Sequence, residues 1–303
     1  MKRRAYRNET DVELLQNFNA HTAAATEGLG YLHPGDIPHH MFNGNRMYDT
    51  SEVVTIWEDD HGVAAWVLDG PRHKESDIQV RPDLKGTDFE REVMDFAEAH
   101  LLELMNRHGI EGDKIFAVAF QGDDFLRQYL SESGWIHDGN PPWVLNRISL
   151  DDLAKAELPE GYIIRAATGI EDAAGLAEVH KASFGVAWTA ESYRKVMESP
   201  GYAAEREFVV VAPDGNFAAF TVTWHDPANR MGLFEPVGTH SDYRRKGLGK
   251  ALLLTVLHHM KTLGMEFAEV VNEGTNEGSR SLYLSCGFRP WHHIDNYEKP
   301  ISS

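Results

Sequence analysis

The chain has 303 residues, with 29 Lys and Arg against 47 Asp and Glu, a net charge of −18 with histidine neutral. That length fits one large domain or two ordinary ones, and 42% hydrophobic with 10% aromatic residues is enough for packed cores, which excludes disordered and collagen-like architectures. The acidity argues against general binding to nucleic-acid phosphates and suits small cationic partners better.

At the start, Met1-Lys-Arg-Arg4 runs into polar residues rather than an apolar signal core, and the longest apolar run, Ala251 to Leu257, is far too short for a membrane span. A protein with no membrane attachment is expected, and the single Cys286 fits a cytoplasmic, reducing setting. An internal repeat follows. Glu52 to Glu58 predicts a strand, Asp59 to Gly62 a turn and Val63 to Leu68 a second strand; Glu207 to Ala212, Pro213 to Asn216 and Phe217 to Trp224 predict the same hairpin again. After each hairpin come a short apolar segment and a helix, marked by Val93, Phe96, Ala97 and Leu101 in one half and by Leu252, Leu253, Val256, Leu257 and Met260 in the other. Each half then offers a strand (Ile115 to Phe120; Phe267 to Val271), a short helix and a glycine-aromatic pair (Gly134-Trp135; Gly287-Phe288) opening a last strand. The order is mixed α/β. The polar stretch Asp151 to Gly161 separates the halves, so the domains are expected at 1–154 and 155–303, with helices at Ile170 to Ser183 and Thr189 to Glu198 in the second.

Between the predicted strand Leu233 to Thr239 and the helix from Ala251 lies Arg244-Arg-Lys-Gly-Leu-Gly249. A glycine-rich basic loop at a helix start is an anion site: unpaired amides point outward, the helix dipole favours negative charge, and glycine lets a phosphate approach. The spacing matches neither the nucleoside-triphosphate loop nor the dinucleotide fingerprint. A loop of merely solvated charges is the competing reading. Against it stands a second element, Asn276-Glu-Gly-Ser279-Arg-Ser-Leu282-Tyr283, ending at Gly287-Phe288.

Together the two elements resemble the GNAT superfamily of acyl-CoA-dependent N-acetyltransferases, whose acyl-CoA loop reads Gln/Arg-x-x-Gly-x-Gly/Ala and whose following motif reads Asn-x-x-Ala/Ser-x-x-Leu-Tyr-x-x-x-Gly-Phe. Every position of both patterns is filled. The resemblance spans Tyr162 to about Tyr297, and with the first half as a degenerate copy the whole is similar to the tandem-GNAT group that includes mycothiol synthase. It implies two GNAT-like units, each a mixed, mostly antiparallel sheet flanked by helices. It also implies acetyl-CoA as cosubstrate, its pyrophosphate held by Arg244, Arg245, Lys246, Gly247, Leu248, Gly249 and Lys250, its pantetheine amides paired with Val237, Gly238 and Thr239, and its groove lined by Asn276 and Ser279. In the first half, Leu84 to Glu90 aligns with Tyr243 to Gly249 and puts Asp88 and Glu90 opposite Gly247 and Gly249, so that half is not expected to bind acyl-CoA there.

Acyl transfer to an amine needs a base, a stabilised oxyanion and a proton donor for the departing thiolate. Glu235 is the candidate base, on the face of Leu233, Val237 and Thr239 if strand alternation runs unbroken; an ion-paired glutamate is the alternative. Many members of the family carry this glutamate at the Leu233 position. Tyr283 is the candidate acid, or else a tyrosine packed beside Leu282 and Phe288. The oxyanion would meet a main-chain amide near Val237 or Gly238. No metal is expected: His33, His39 and His40, and the pairs His258-His259 and His292-His293, lack helical metal-ligand spacing. Cys286 reads as a packed residue, and Trp188, Tyr193, Tyr202 and Trp224 as core or as the rim of an acceptor pocket. The expected reaction is acetyl transfer to a small amine, a cationic one suiting the acidic chain, with no nucleic-acid or membrane partner. Acetylation of a cysteinyl sugar, as by mycothiol synthase, and a silent acyl-CoA sensor are the alternatives.

Overall fold

The computed structural model describes residues 1–301. By packing, the chain divides into two units: Met1–Val144 with Glu273–Thr275 and the stretch from His292, and Leu145–Asn272 with Asn276–Trp291. The sequence places the expected boundary near residue 155. The packing division falls at Val144, and it assigns the last stretch of the chain to the first unit.

The first unit runs β1 (Lys2–Ala5), α1 (Glu9–Thr26), α2 (Ile37–His39), a π-helical turn (His40–Gly44), α3 (Thr50–Val53), β2 (Val54–Asp59), β3 (Gly62–Gly70), β4 (Glu75–Val80), α4 (Asp88–Arg107), β5 (Lys114–Phe120), α5 (Asp124–Glu132) and β6 (Ile136–His137). Its strands lie in the order β1-β2-β3-β4-β5, followed by the terminal strand from residue 292. Every resolved pair is antiparallel except β4 with β5, which are parallel and share the single register pair Glu75 with Phe116. The run Val63 to Leu68 is apolar throughout because β3 is covered on both faces. Trp66 and Leu68 pack with Leu15, Ile37 and Met41, whereas Ala65 and Val67 pack with Val93 and Ala97. The buried Trp66 indole donates to Asn19 Oδ1 at 2.9 Å, so its one polar atom is satisfied.

The second unit holds β7 (Trp143–Ser149, from Leu145), β8 (Ile163–Ala166), α6 (Ala173–Phe184), α7 (Ala190–Met197), β9 (Glu207–Val211), β10 (Phe217–Asp226), β11 (Met231–Thr239), α8 (Leu248–Thr262), β12 (Phe267–Asn272), α9 (Glu277–Cys286) and the start of β13 (Arg289–Pro300). The order is β7-β12-β11-β10-β9-β8, antiparallel from β8 to β11 and parallel between β11 and β12. Alternation along β9 sends Phe208 and Val210 to α8 and Val209 to α6 and α7. On α8, Leu252, Leu253, Val256, Leu257 and Met260 are all inaccessible to solvent and face that first layer. Both units are thus mixed α/β, mostly antiparallel sheets flanked by helices. Among the described residues no helix is long and apolar enough to cross a membrane.

Candidate active site

Strand β11 leaves its neighbour part-way along. Its ladder with β12 covers Met231 to Phe234, while its ladder with β10 continues to Thr239. At the point of parting the register slips: Thr223 faces Phe234, yet Thr221 faces Val237, so Glu235 and Pro236, joined by a cis peptide bond, together oppose Val222. This is a β-bulge, which re-aims side chains. It corrects the expectation of one common face for Leu233, Glu235, Val237 and Thr239, because Phe234 and Val237 both pack into the α8-side core. Two bonds fix the bulge: the Trp224 indole donates to the Glu235 carbonyl at 2.8 Å and the Thr221 hydroxyl to the Pro236 carbonyl at 3.0 Å. The Glu235 side chain is exposed. At Gly238 a Cβ would lie 2.3 Å from the Phe220 ring, so only glycine fits there.

The chain then makes a short 3-10 turn, Ser241–Tyr243, tied down by the Tyr243 hydroxyl donating to Asp214 at 2.7 Å. Arg244 uses Nε on the Thr239 carbonyl at 3.2 Å and Nη2 on the Ser183 carbonyl at 3.0 Å, bracing the loop against α6. Arg245 has φ 67° and Gly247 φ 79°, both left-handed. Gly247 is the N-cap of α8, no side chain caps the helix, and a Cβ on Gly247 would meet nothing within 4 Å. Gly249 sits closer in, where a Cβ would lie 3.3 Å from Leu282 and 3.4 Å from the Thr239 hydroxyl. Buried Leu248 anchors the helix start, Lys246 lies 4.9 Å from the centre of the Tyr243 ring, and Lys250 is exposed. The result is a helix N-terminus with open, uncapped amides, flanked by cations and reached through space that no side chain fills, which fits a diphosphate.

Helix α9 begins differently. Asn276 caps it, its Oδ1 accepting from the Ser279 amide at 3.0 Å while the Ser279 hydroxyl donates back to the Asn276 carbonyl. Both expected groove residues are therefore occupied in shaping the helix entry. One turn further on, Tyr283 is 5% exposed, with Phe288 edge-on at 6.0 Å. Burial raises its phenol well above the ordinary value, and Glu235 and then Cys286 add to that. Glu235 and Tyr283 are therefore electrostatic neighbours, across a strand bulge and a helix. Cys286 is buried, its thiol pushed up to about 11, in keeping with a packed and unreactive residue.

The aromatic residues divide. Tyr193 and Tyr202 both donate to Glu207, a carboxylate with 0% exposure, and Tyr193 also lies 2.9 Å from His180 Nε2. His180 stacks on Phe220 with ring centres 3.7 Å apart. Trp224 is buried with Arg206 over its ring, and Trp188 is half-buried edge-on to Tyr193. Glu207 was hidden in the sequence, where a glutamate opening an apolar strand gives no sign that two tyrosines will solvate it.

Residues 173–288 match the acetyltransferase (GNAT) family. The chain carries a GNAT acetyltransferase domain. Its limits enclose α6 through α9 and hence every residue of the site just described. Among curated proteins, this chain is 34% identical over 100 residues to the mycothiol acetyltransferase of Nocardiopsis dassonvillei, covering 31% of this chain and 30% of that protein. To the mycothiol acetyltransferase of Saccharomonospora viridis it is 26% identical over 231 residues, 68% of this chain and 74% of that one. Among solved structures, a tandem GNAT protein from the clavulanic acid biosynthesis pathway superposes with a TM-score of 0.69 at 16% identity, covering 100% of this chain and 99% of that one. The tandem GNAT fold thus extends over the whole molecule.

Proposed function

We propose that the protein transfers an acetyl group from acetyl-CoA to the nitrogen of a small amine that arrives as a cation, and that the second unit does this alone. The observation that carries the reading is the uncapped, glycine-started helix α8 at the end of a strand that parts from β12, with Glu235 and Tyr283 beside the parting. The amides at Gly247 and Gly249, with Arg245, Lys246 and Lys250, would hold the pyrophosphate, Arg244 would keep the loop in shape, and Val237 to Thr239 would face the pantetheine arm. The thioester supplies the acetyl group. Glu235, exposed on the bulge, takes a proton from the incoming ammonium, which at pH 7 is almost wholly protonated for an amine of pKa near 10.4. Main-chain amides near Val237 and Gly238 stabilise the oxyanion. Tyr283, with its phenol raised, stays protonated across the working range and acts as a hydrogen-bond donor to the departing sulfur more than as a full proton source.

Glu235→Gln should lower kcat/KM at pH 7 by roughly 10²- to 10⁴-fold, the range of a positioned base, and the loss should shrink as pH rises and more acceptor arrives neutral. Parallel profiles for both enzymes from about pH 6 to 10, around the amine pKa, would remove Glu235 from the mechanism. The names of the curated relatives favour a second reading of the acceptor, a cysteinyl sugar in mycothiol assembly. A panel of amines with that conjugate among them, read by thiol release, separates the two, and no release with any acceptor would leave an acyl-CoA sensor.

A further inference from the structure

The second unit buries a polar cluster that takes no direct part in acyl transfer. Glu207 opens β9 on the face of Val209, turned toward α6 and α7, and no part of it meets solvent. Tyr193 of α7 and Tyr202 donate to its two oxygens. Burial, and then Glu207 itself, push both phenols far above their ordinary value, so each remains a donor. With its proton directed to Glu207, the Tyr193 hydroxyl accepts at 2.9 Å from His180 Nε2, which fixes the tautomer and the plane of that imidazole. The ring so fixed lies flat on Phe220, centres 3.7 Å and planes 25° apart. Phe184, one turn further along α6, stands edge-on to Phe220 with ring centres 5.9 Å apart.

Both ends of this cluster reach β11. Phe220 faces Gly238 across the ladder, and its ring lies 2.3 Å from the place a Cβ there would take. The Ser183 hydroxyl of α6 lies 2.9 Å from the same place, while the Ser183 carbonyl holds Arg244. At the other end Glu207 pairs with Val222, the residue opposite the Glu235–Pro236 bulge. The contacts thus form a closed circuit, from the bulge through Glu207, Tyr193, His180 and Phe220 back to Gly238 on the same strand. Apolar side chains could fill that volume without desolvating a carboxylate. What the hydrogen bonds add is direction: they allow one orientation of the imidazole where apolar packing allows several.

We propose that His180 is a positioning residue: locked by Tyr193 and Glu207, its ring sets Phe220, and through Phe220 the β11 main chain from Val237 to Thr239, in register with the pantetheine arm. The inference rests on the reading of β11 as the strand that faces that arm. The test is calorimetric titration of the full chain with acetyl-CoA and with ADP, which carries the diphosphate but no arm. His180→Ala should weaken acetyl-CoA roughly tenfold, the upper range for one lost hydrogen bond, and leave ADP unchanged. Tyr193→Phe, which frees the imidazole without emptying its place, should give a smaller loss of the same selectivity and serves if His180→Ala unfolds by circular dichroism. Glu207→Gln keeps an acceptor oxygen for Tyr193 and should retain most of the affinity. Leu257→Ala, a cavity in the layer under α8, should lower the melting temperature without separating the two ligands. Unchanged acetyl-CoA affinity, equal loss of both ligands, a loss with Glu207→Gln as large as with His180→Ala, or the same selective loss with Leu257→Ala would each overturn the proposal. A wild type lacking affinity for either ligand would instead bring down the reading of the loop and of β11, and this inference with it.

Discussion

The loop before α4 and the loop before α8 begin alike. Each opens with a 3-10 turn, Pro82–Leu84 and Ser241–Tyr243, and each then sets one residue at positive φ, Gly86 at 74° and Arg245 at 67°. At the next step they part. Residues 85–87 connect turn to helix in the first unit and residues 244–247 in the second, so the first loop is one residue shorter and Thr87 takes the cap position of Gly247. By fold, then, Glu90 stands opposite Lys250 and not opposite Gly249 as in the linear alignment. Its carboxylate turns back to accept a hydrogen bond from the Gly86 amide at 2.5 Å and is 2% exposed, while Lys85, 3.9 Å from Glu90, donates a hydrogen bond to Asp123 at 2.6 Å. Where the second unit leaves amides and cations open, the first fills the same place with its own side chains. The strand-to-helix entry of each unit tells the opposite story. Arg4 grips Asp11 through two nitrogens, both at 2.8 Å, and Arg165 grips Asp172 at 2.6 and 2.8 Å, each aspartate also accepting a backbone amide at 2.8 Å. Contacts that hold the fold are kept in both copies, whereas contacts that would face a ligand are kept in one.

Gly247→Asp should break the contrast most completely. A carboxylate about 4 Å from a phosphate oxygen costs on the order of 4 kcal/mol at an effective dielectric of 20, roughly a thousandfold in affinity. A side chain at φ 79° adds about 1 kcal/mol or more. Calorimetry should find one acetyl-CoA per wild-type chain and none in the variant; two equivalent sites in the wild type would end the contrast.

Tyr283→Phe should lower kcat by roughly 10²-fold with little change in acetyl-CoA affinity, since the hydroxyl matters as charge develops on sulfur. Its counterpart in sequence, Leu130, has no hydroxyl, and the adjacent Tyr129 donates to Asp95 at 2.6 Å. An unchanged kcat, with chemistry rate-limiting, would reduce Tyr283 to packing.

The shared staple should behave alike in both units. Asp172 has its carboxyl lowered to about 2, chiefly by Arg165, and Asp11 is lowered as well, against burial, by Arg4 and the Arg7 amide. For a lowered carboxyl the stabilisation is complete above the unfolded value of about 3.8 and is lost as pH falls through the folded one, which for Asp172 makes roughly 2 kcal/mol at neutral pH. Asp172→Asn and Asp11→Asn should each lower the melting temperature at pH 7 and flatten its decline between about pH 4 and 2. A loss in only one variant would show that one copy no longer needs the staple. The smallest effect belongs to Thr87→Gly, which restores the glycine but leaves Glu90 on the Gly86 amide; acetyl-CoA stoichiometry should stay at one.

Much of this was legible in the sequence because local chemistry imposes it. The hairpins and α8 with its loop follow from apolar period and glycine placement, and α9 with Tyr283 and Gly287 from a short motif, all short-range features, whereas Asn276, expected to line the groove, caps the helix. Thr189 with Ser192 likewise forms the capping box that opens α7. Long-range features were not legible. Helix α1 turns Asp11, Asn19 and Thr22 inward among Leu15 and Phe18, so its apolar period is broken by polar residues, and Asn19 finds its partners as far away as Trp66 and Gln79. The bulge at Glu235 depends on pairing with Val222, and the role of Glu207 on tyrosines from two other elements.

The terminal strand carries a consequence in time. Residues 294–300 pair with Phe120 to Lys114, completing the first unit's set of strands, whose other members end by residue 137. A chain emerging from the ribosome at roughly 5 to 20 residues per second therefore exposes the edge of β5 for on the order of ten seconds or more before its partner is made. During that wait Ile115, Phe116 and Val118 lie on a strand with one open edge, a surface that other nascent chains or a chaperone can meet first. Stopping synthesis after residue 154 should thus leave the first unit as an aggregation-prone fragment rather than a free-standing half.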